Sequence, residues 1–586
     1  MLKRFFVSML GTIAGVWVTI FIILFGGIVI AGAVIGASSE SVKIKDKSVL
    51  YLKLEGDIVE RLQEQSFMDF VNDYDSKGQT LDQMLNAVRM AATDKKIRGI
   101  YIDAAGSTMD VASRQELVEA LKDFKESGKW IYAYGDNFEQ GDYLIASVAD
   151  KIFLNPVGYV DIRGIAMQTP FFTGLLDKLG IKVQIVKVGT YKSAVEPFIL
   201  TSMSEPARRQ NQIYIDSIWN YYASTIAENR DVTPANVSAW ADSLTFAWTP
   251  EHNIKARIVT ETCYRRNVEN MLRERLGVDA DDELPLVTPA KYIEANSDKF
   301  ASPSKDHIAV LYAVGEIVES GYGGIDGSKM VPEIIRLADD ENVVGLVLRV
   351  NSGGGSAFAS EQIWEALEYF KSQDKPFYVS MGDYAASGGY YISCGADRIF
   401  ADATTLTGSI GAFGLLPDLS GLVTGKLGVT FSTVSSSPNA TFMSLTSPMT
   451  ADQKAAMQHY VDETYDIFTS RVAEGRHMSV DSVKAIAEGR VWVGSSALEL
   501  GLVDQLGSLN DAVKALAAEV NLDSDAWVAY PHVNTSFLER LLEETSQLQA
   551  SQGIALDPEM VKYLITAKRI SEMEPIQARM PEIVLR

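Results

Sequence analysis

The stretch GDYAASGGYY, residues 382–391, sets a serine between an alanine pair and a glycine pair, a pattern suited to nucleophilic chemistry. The apolar run FYVSMGD leads into Ser387, and YYISCGAD behind it has helical character, so the serine falls at a strand-to-helix turn. Such a turn exposes a side chain at a helix N-terminus, where free backbone N–H groups and the helix dipole favour developing negative charge. The same position also suits a plain N-cap, which serine fills with a benefit of about 1 kcal/mol. A serine nucleophile needs a base. The chain has five histidines, His252, His307, His459, His477 and His532, and none lies in a comparable motif. A lysine can substitute where burial leaves it neutral, and GTYKSAVEPF, residues 189–198, offers Lys192. Taken alone, Lys192 reads by default as a surface lysine with its stem laid along apolar groups.

What singles out both residues is an internal repeat. MGDYAASGGYYISCGAD, residues 381–397, resembles YGDNFEQGDYLIASVAD, residues 134–150, nearly everywhere except at its centre. The correspondence extends outward: VLYLKLEGDIVE (49–60) with IAVLYAVGEIVE (308–319), IRGIYIDAAG (97–106) with VVGLVLRVNSG (343–353), and LVEALKDFKESGK (117–129) with IWEALEYFKSQDK (363–375). The first two pairs are β-rich apolar runs, and the third has helical periodicity. From Gly99 and Gly345 onward the offset stays within 246 to 248, which means duplication. It sets Ser387 opposite Gln140, Gly388 opposite Gly141 and Lys192 opposite Ala440. Each half keeps one partner of a Ser/Lys pair and lacks the other. Strands alternating with helices at this spacing predict an α/β fold of two tandem domains, joined near residues 296–305.

At 586 residues the chain exceeds one core, and 47% apolar content excludes wholesale disorder. A net charge of −23 without clustered Lys and Arg argues against a nucleic-acid surface. Cys263 and Cys394 lie far apart, so neither a disulfide framework nor a zinc site is expected, and no cofactor is called for. Lys3 and Arg4 precede an uncharged run from Phe5 to Ser39, long enough for a retained membrane span, with residues 5–37 as the membrane segment. The positive-inside bias then puts the N-terminus in the cytoplasm and the body across the membrane, in a bacterial periplasm or an equivalent space. The expected organisation is an anchor and juxtamembrane segment at 1–44, an N-terminal repeat at 45–300 carrying the lysine, a C-terminal repeat at 301–535 carrying the serine, and a helical tail at 536–586.

GDYAASGGYY, GTYKSAVEPF, TGSIGAFG and NSGGGS, in a duplicated chain behind an N-terminal anchor, together resemble the signal peptide peptidase A family in its long form, also called protease IV. The resemblance implies a membrane-anchored serine endopeptidase of the bacterial inner membrane with a Ser/Lys dyad and a fold like Clp protease and the crotonases. Its substrates would be apolar peptides such as cleaved signal peptides, and it would assemble as a homotetramer. By the same resemblance Ser387 is the nucleophile, Lys192 the general base and Ser409, in TGSIG, a serine that hydrogen-bonds the lysine. The oxyanion donors expected are the backbone N–H groups of Gly388 and of Gly354 in NSGGGS. Family members commonly carry proline where this chain has Gly353. NSGGGS lacks the Gly-Lys-Ser/Thr ending of a phosphate loop. Two other classes compete with this reading: a catalytically silent membrane scaffold that binds peptides or partner proteins, and a CoA hydratase or isomerase of the crotonase kind. For the latter the candidate carboxylate is Asp383.

Overall fold

A computed structural model describes residues 43–61, 79–279, 282–296, 305–321, 324–523, 527–530 and 576–580. The expected anchor and most of the expected tail lie outside the described residues. Among the described residues no helix is long and apolar enough to cross a membrane.

The duplication is written in the sheets. In the first half, six strands lie in the order Glu261–Thr262, Lys151–Leu154, Trp130–Gly135, Ile97–Thr108, Ser48–Asp57, Leu286–Val287, with every neighbouring pair parallel. The second half repeats that order with Gln505–Leu506, Arg398–Ala401, Phe377–Ala386, Val343–Ser352, His307–Val314 and Trp527–Tyr530, again parallel throughout. Parallel strands are covered by crossover helices on both faces, so they read as unbroken apolar runs. His307–Val314 (HIAVLYAV) is buried at every residue but the last. The strand Phe377–Ala386 exchanges partners along its length. It pairs with Arg398–Ala401 at its start and with Leu406–Gly408 at its end.

A further six-stranded sheet stitches the halves together. Its order is Ile325–Asp326, Ile317–Val318, Gly354–Ser356, Ile576–Arg579, Phe413–Asp418, Lys182–Lys187. Lys182–Lys187 belongs to the first repeat and runs antiparallel to Phe413–Asp418 of the second, in register from Phe413 opposite Lys187 to Asp418 opposite Lys182. The tail, expected to be helical, contributes a strand here: Ile576–Arg579 lies antiparallel to both Gly354–Ser356 and Phe413–Asp418.

Buried charge reinforces the junction. Arg349, 1% exposed on its central strand, donates to Glu60 Oε1 at 2.8 Å and Glu116 Oε1 at 2.6 Å, both carboxylates of the first repeat. Removing the guanidinium would leave two buried carboxylates unpaired, a loss of roughly 3–5 kcal/mol.

Candidate active site

Ser387 closes the strand Phe377–Ala386 and precedes the short helix Gly388–Tyr391. Its backbone sits at φ 56, ψ −115, a region that only glycine visits freely, and strain of roughly 1–3 kcal/mol persists there only when the surroundings enforce it. Two anchors do so: Ser387 N donates to Gly408 O at 2.7 Å, and Ser387 O accepts from Tyr391 N at 2.8 Å.

Lys192 reaches this serine from the other repeat. The cross-repeat strand pair ends at Lys187, and the turn that follows carries Lys192 inward, where it is fully buried. Its Nζ lies 2.7 Å from Ser387 Oγ, 3.2 Å from Ser409 Oγ and 3.1 Å from Ser409 O. Burial alone drives its pKa well below the ordinary lysine value. Ser409 is itself buried, at φ 52, and held by donation from its N to Arg490 O at 2.7 Å. Two serines of the second repeat therefore meet around one amine of the first.

The glycines are demanded by close approach. A Cβ on Gly354, at φ +100, would lie 2.1 Å from Ala578 O and 2.7 Å from Gly388 N. One on Gly388 would lie 2.8 Å from Ser360 Oγ. The Gly354 N–H is engaged, donating to Ser352 Oγ at 3.1 Å. Gly353 is covered by Met580, whose N donates to Gly353 O at 2.7 Å.

Sequence reasoning missed the clamp behind the lysine. Tyr191 N donates to Glu488 O at 2.9 Å, Gly489 N donates to Ile410 O at 2.7 Å, and a Cβ on Gly489 would lie 2.7–2.8 Å from Lys192 N, Cα and Cβ. Arg490 stacks over both Tyr191 and Trp492. Gly489, in the run AEGRVW, had only its glycine to signal this. Missed too was Ser352, the acceptor for Gly354.

The other candidates lie elsewhere. Asp383 is spent on the junction, accepting from Ser113 N at 2.9 Å and Ser113 Oγ at 2.5 Å, and burial, then the nearby Asp110 charge, push it up to about 7. His252 stacks on Trp248, and His459 lies 3.4 Å from Glu463. Cys263 and Cys394 are free thiols, and the described residues hold no metal-binding cluster. In the first repeat Gln140, opposite Ser387, is tied to a neighbouring loop: its Nε2 donates to Gly164 O, while its Oε1 accepts from Arg163 N and Gly164 N.

Known proteins sharpen this picture. The signature described as Peptidase family S49 matches twice, over residues 123–279 and 369–523. Protease 4 of Haemophilus influenzae is 33% identical over 558 residues, covering 90% of this chain and 89% of that protein. Protease 4 of Salmonella typhi is 34% identical over 529 residues, covering 89% and 82%. A putative signal peptide peptidase SppA of Enterococcus faecium is 35% identical over 240 residues, 40% of this chain and 70% of that protein. With the signature falling once in each repeat and full-length relatives on both counts, the chain belongs to peptidase family S49, as a serine peptidase of the long, internally duplicated form.

Proposed function

We propose that the chain is a membrane-anchored endopeptidase that hydrolyses apolar peptides, such as cleaved signal peptides, through a Ser387/Lys192 dyad and an acyl-enzyme. The observation that carries this reading is the 2.7 Å contact between Ser387 Oγ and a buried lysine amine to which, among the described residues, no carboxylate is bonded. A neutral amine accepts the Ser387 proton as Oγ attacks the peptide carbonyl, then passes it to the departing amine, and water taken through the same base releases the acyl group. Ser409 Oγ and O fix the amine's direction. Gly388 N and Gly354 N are the oxyanion donors, and Gly354 N exchanges its present acceptor, Ser352 Oγ, for the developing oxyanion.

Substrate lies extended between Gly354–Ser356 and Phe413–Asp418, in the manner of an added strand. This is supported by Ile576–Arg579, which already lies there as an antiparallel strand. The like-ordered parallel sheets support a Clp-protease or crotonase type of architecture in each repeat. Residues 5–37 anchor the chain in the bacterial inner membrane with the body on the periplasmic side, where remnants of secretory processing are concentrated. The assembly is a homotetramer, as the family resemblance implies.

The test is the rate at which the full chain cleaves an apolar fluorogenic peptide, beside Ser387→Ala and Lys192→Ala. Both variants are expected to fall to background. Activity surviving Lys192→Ala would mean another base, and a wild type that binds peptides without cutting them would favour the silent scaffold.

A further inference from the structure

The edge from which the strands of the first sheet set out gathers cations. Ser48 pairs with Ile97 on the neighbouring strand, so the segments around these strand starts, KIKDK at 43–47 and DKKIR at 94–98, lie side by side. Adjacent strands stand about 5 Å apart. Lys43, Lys45, Lys47, Lys95, Lys96 and Arg98 are all exposed, and among the described residues none of the six is paired with a carboxylate. The acids of the two segments are Asp46 and Asp94, and Asp94 already accepts from Tyr292 Oη at 2.7 Å and from Lys96 N at 2.9 Å. In the sequence these are two short runs far apart; strand pairing makes them one surface.

The second repeat supplies the comparison. There His307 pairs with Val343 as Ser48 does with Ile97, and the matching segments read PSSKD at 302–306 and DENVV at 340–344. Lys45, Lys47, Lys95 and Lys96 thus stand opposite Ser304, Asp306, Glu341 and Asn342. Six cations and two acids in one repeat face one cation and three acids in the other, so the fold itself does not call for the cations. Only the first repeat adjoins the proposed anchor. Lys43 is six residues beyond residue 37, which is at most about 20 Å of chain. A chain of net charge −23 is repelled as a whole by an anionic bilayer, and at this edge attraction replaces repulsion.

We propose that this edge rests on the headgroups of anionic phospholipids, which holds the body in one orientation on the membrane instead of leaving it to swing from its anchor. Each cation within a Debye length of such a surface weights the seated orientation about fivefold. The proposal rests on reading residues 5–37 as a membrane anchor, and its test separates the two.

The full chain is reconstituted in vesicles of phosphatidylcholine, alone or with about a third phosphatidylglycerol, together with a lipid that carries a nitroxide on its headgroup. A fluorophore is attached through Thr93→Cys in a Cys263→Ser background. Gln373→Cys, at the same edge of the second sheet, serves as the control, both sites being exposed. Quenching at position 93 is expected to be about threefold or more stronger with phosphatidylglycerol than without it. It should fall to the phosphatidylcholine level in about 0.5 M sodium chloride. The same fall is expected when Lys45→Ser, Lys47→Asp, Lys95→Glu and Lys96→Asn are combined, which installs the second repeat's residues; position 373 should respond to none of these. Equal quenching at position 93 in the two lipids, or in wild type and the combined variant, overturns the proposal. So does a contact that sodium phosphate abolishes and sodium chloride of equal ionic strength does not, because the edge is then a site for free phosphate. If the combined variant does not fold, the lipid and salt dependence of the wild-type contact decides by itself. A chain that floats with neither kind of vesicle overturns the anchor and this proposal together, whereas one that floats with both and is quenched equally overturns the proposal alone.

Discussion

In its proposed role as general base, Lys192 exchanges stability for chemistry. Its folded pKa is lowered by burial, so folding releases a proton that the unfolded chain retains up to an ordinary lysine pKa. The resulting destabilisation is complete below the folded pKa, shrinks as pH rises towards the unfolded value, and vanishes above it. Lys192→Met, of similar length and uncharged, should therefore raise Tm at pH 7 and raise it progressively less towards pH 10, while peptidase activity falls about a thousandfold or more. Thermal scans across pH, with rates on the same samples, check both halves. A Tm that falls at pH 7 would mean the amine is held charged. That Ser387 and Lys192 would meet was legible in the sequence, because each stands in a distinctive motif while its counterpart in the other repeat, Gln140 for one and Ala440 for the other, offers no matching group.

At the scale of elements, precision in the proposed dyad comes from segments pressed against it rather than from the pair itself. The turn at 488–490 abuts the main chain of Lys192, and only glycine fits at 489, where φ is +74. Gly489→Ala is expected to push the lysine away from Ser387 and lower kcat about a hundredfold with the fold retained, as near-attack geometry is lost by displacements of about 1 Å. Rates and circular dichroism on the variant test this, and an unchanged kcat would show that the clamp does not set the amine's position. The parallel strands and paired helices were legible from apolar periodicity. The clamp, the Ser352 acceptor and the strand exchange along Phe377–Ala386 were not. The clamp and the strand exchange arise from approaches between segments tens to hundreds of residues apart, of which a local pattern carries no record, and the Ser352 acceptor, only two residues from Gly354, depends on the backbone path of the loop.

Across the whole molecule, the strand Ile576–Arg579 crosses the groove that the proposed substrate would use. Ala578 and Gln577 are 1% and 2% exposed, and Arg579 is paired with Glu316 at 3.0 Å. A tethered strand competes at an effective concentration on the order of millimolar, so it suppresses the hydrolysis of any weakly bound peptide. Ala578→Pro, which removes a ladder donor and adds bulk against Gly354, is expected to raise kcat/KM for a short apolar peptide roughly tenfold through a lower KM. Initial rates over a range of peptide concentrations decide it. A fall in kcat/KM would mean that the strand completes the site instead of obstructing it.

The distribution of the dyad over both repeats also gives the protein a timetable. Lys192 is made early, Ser387 nearly 200 residues later, and the clamp at 488–490 later again. At synthesis rates of about 5–20 residues per second, the interval from base to clamp lasts on the order of 15 to 60 seconds. Throughout it the nascent chain holds the proposed base without its proposed nucleophile, or an unclamped pair. On the proposed dyad, a polypeptide cut short before the second repeat is finished has no assembled site, and peptidase activity arises only once both repeats have been delivered.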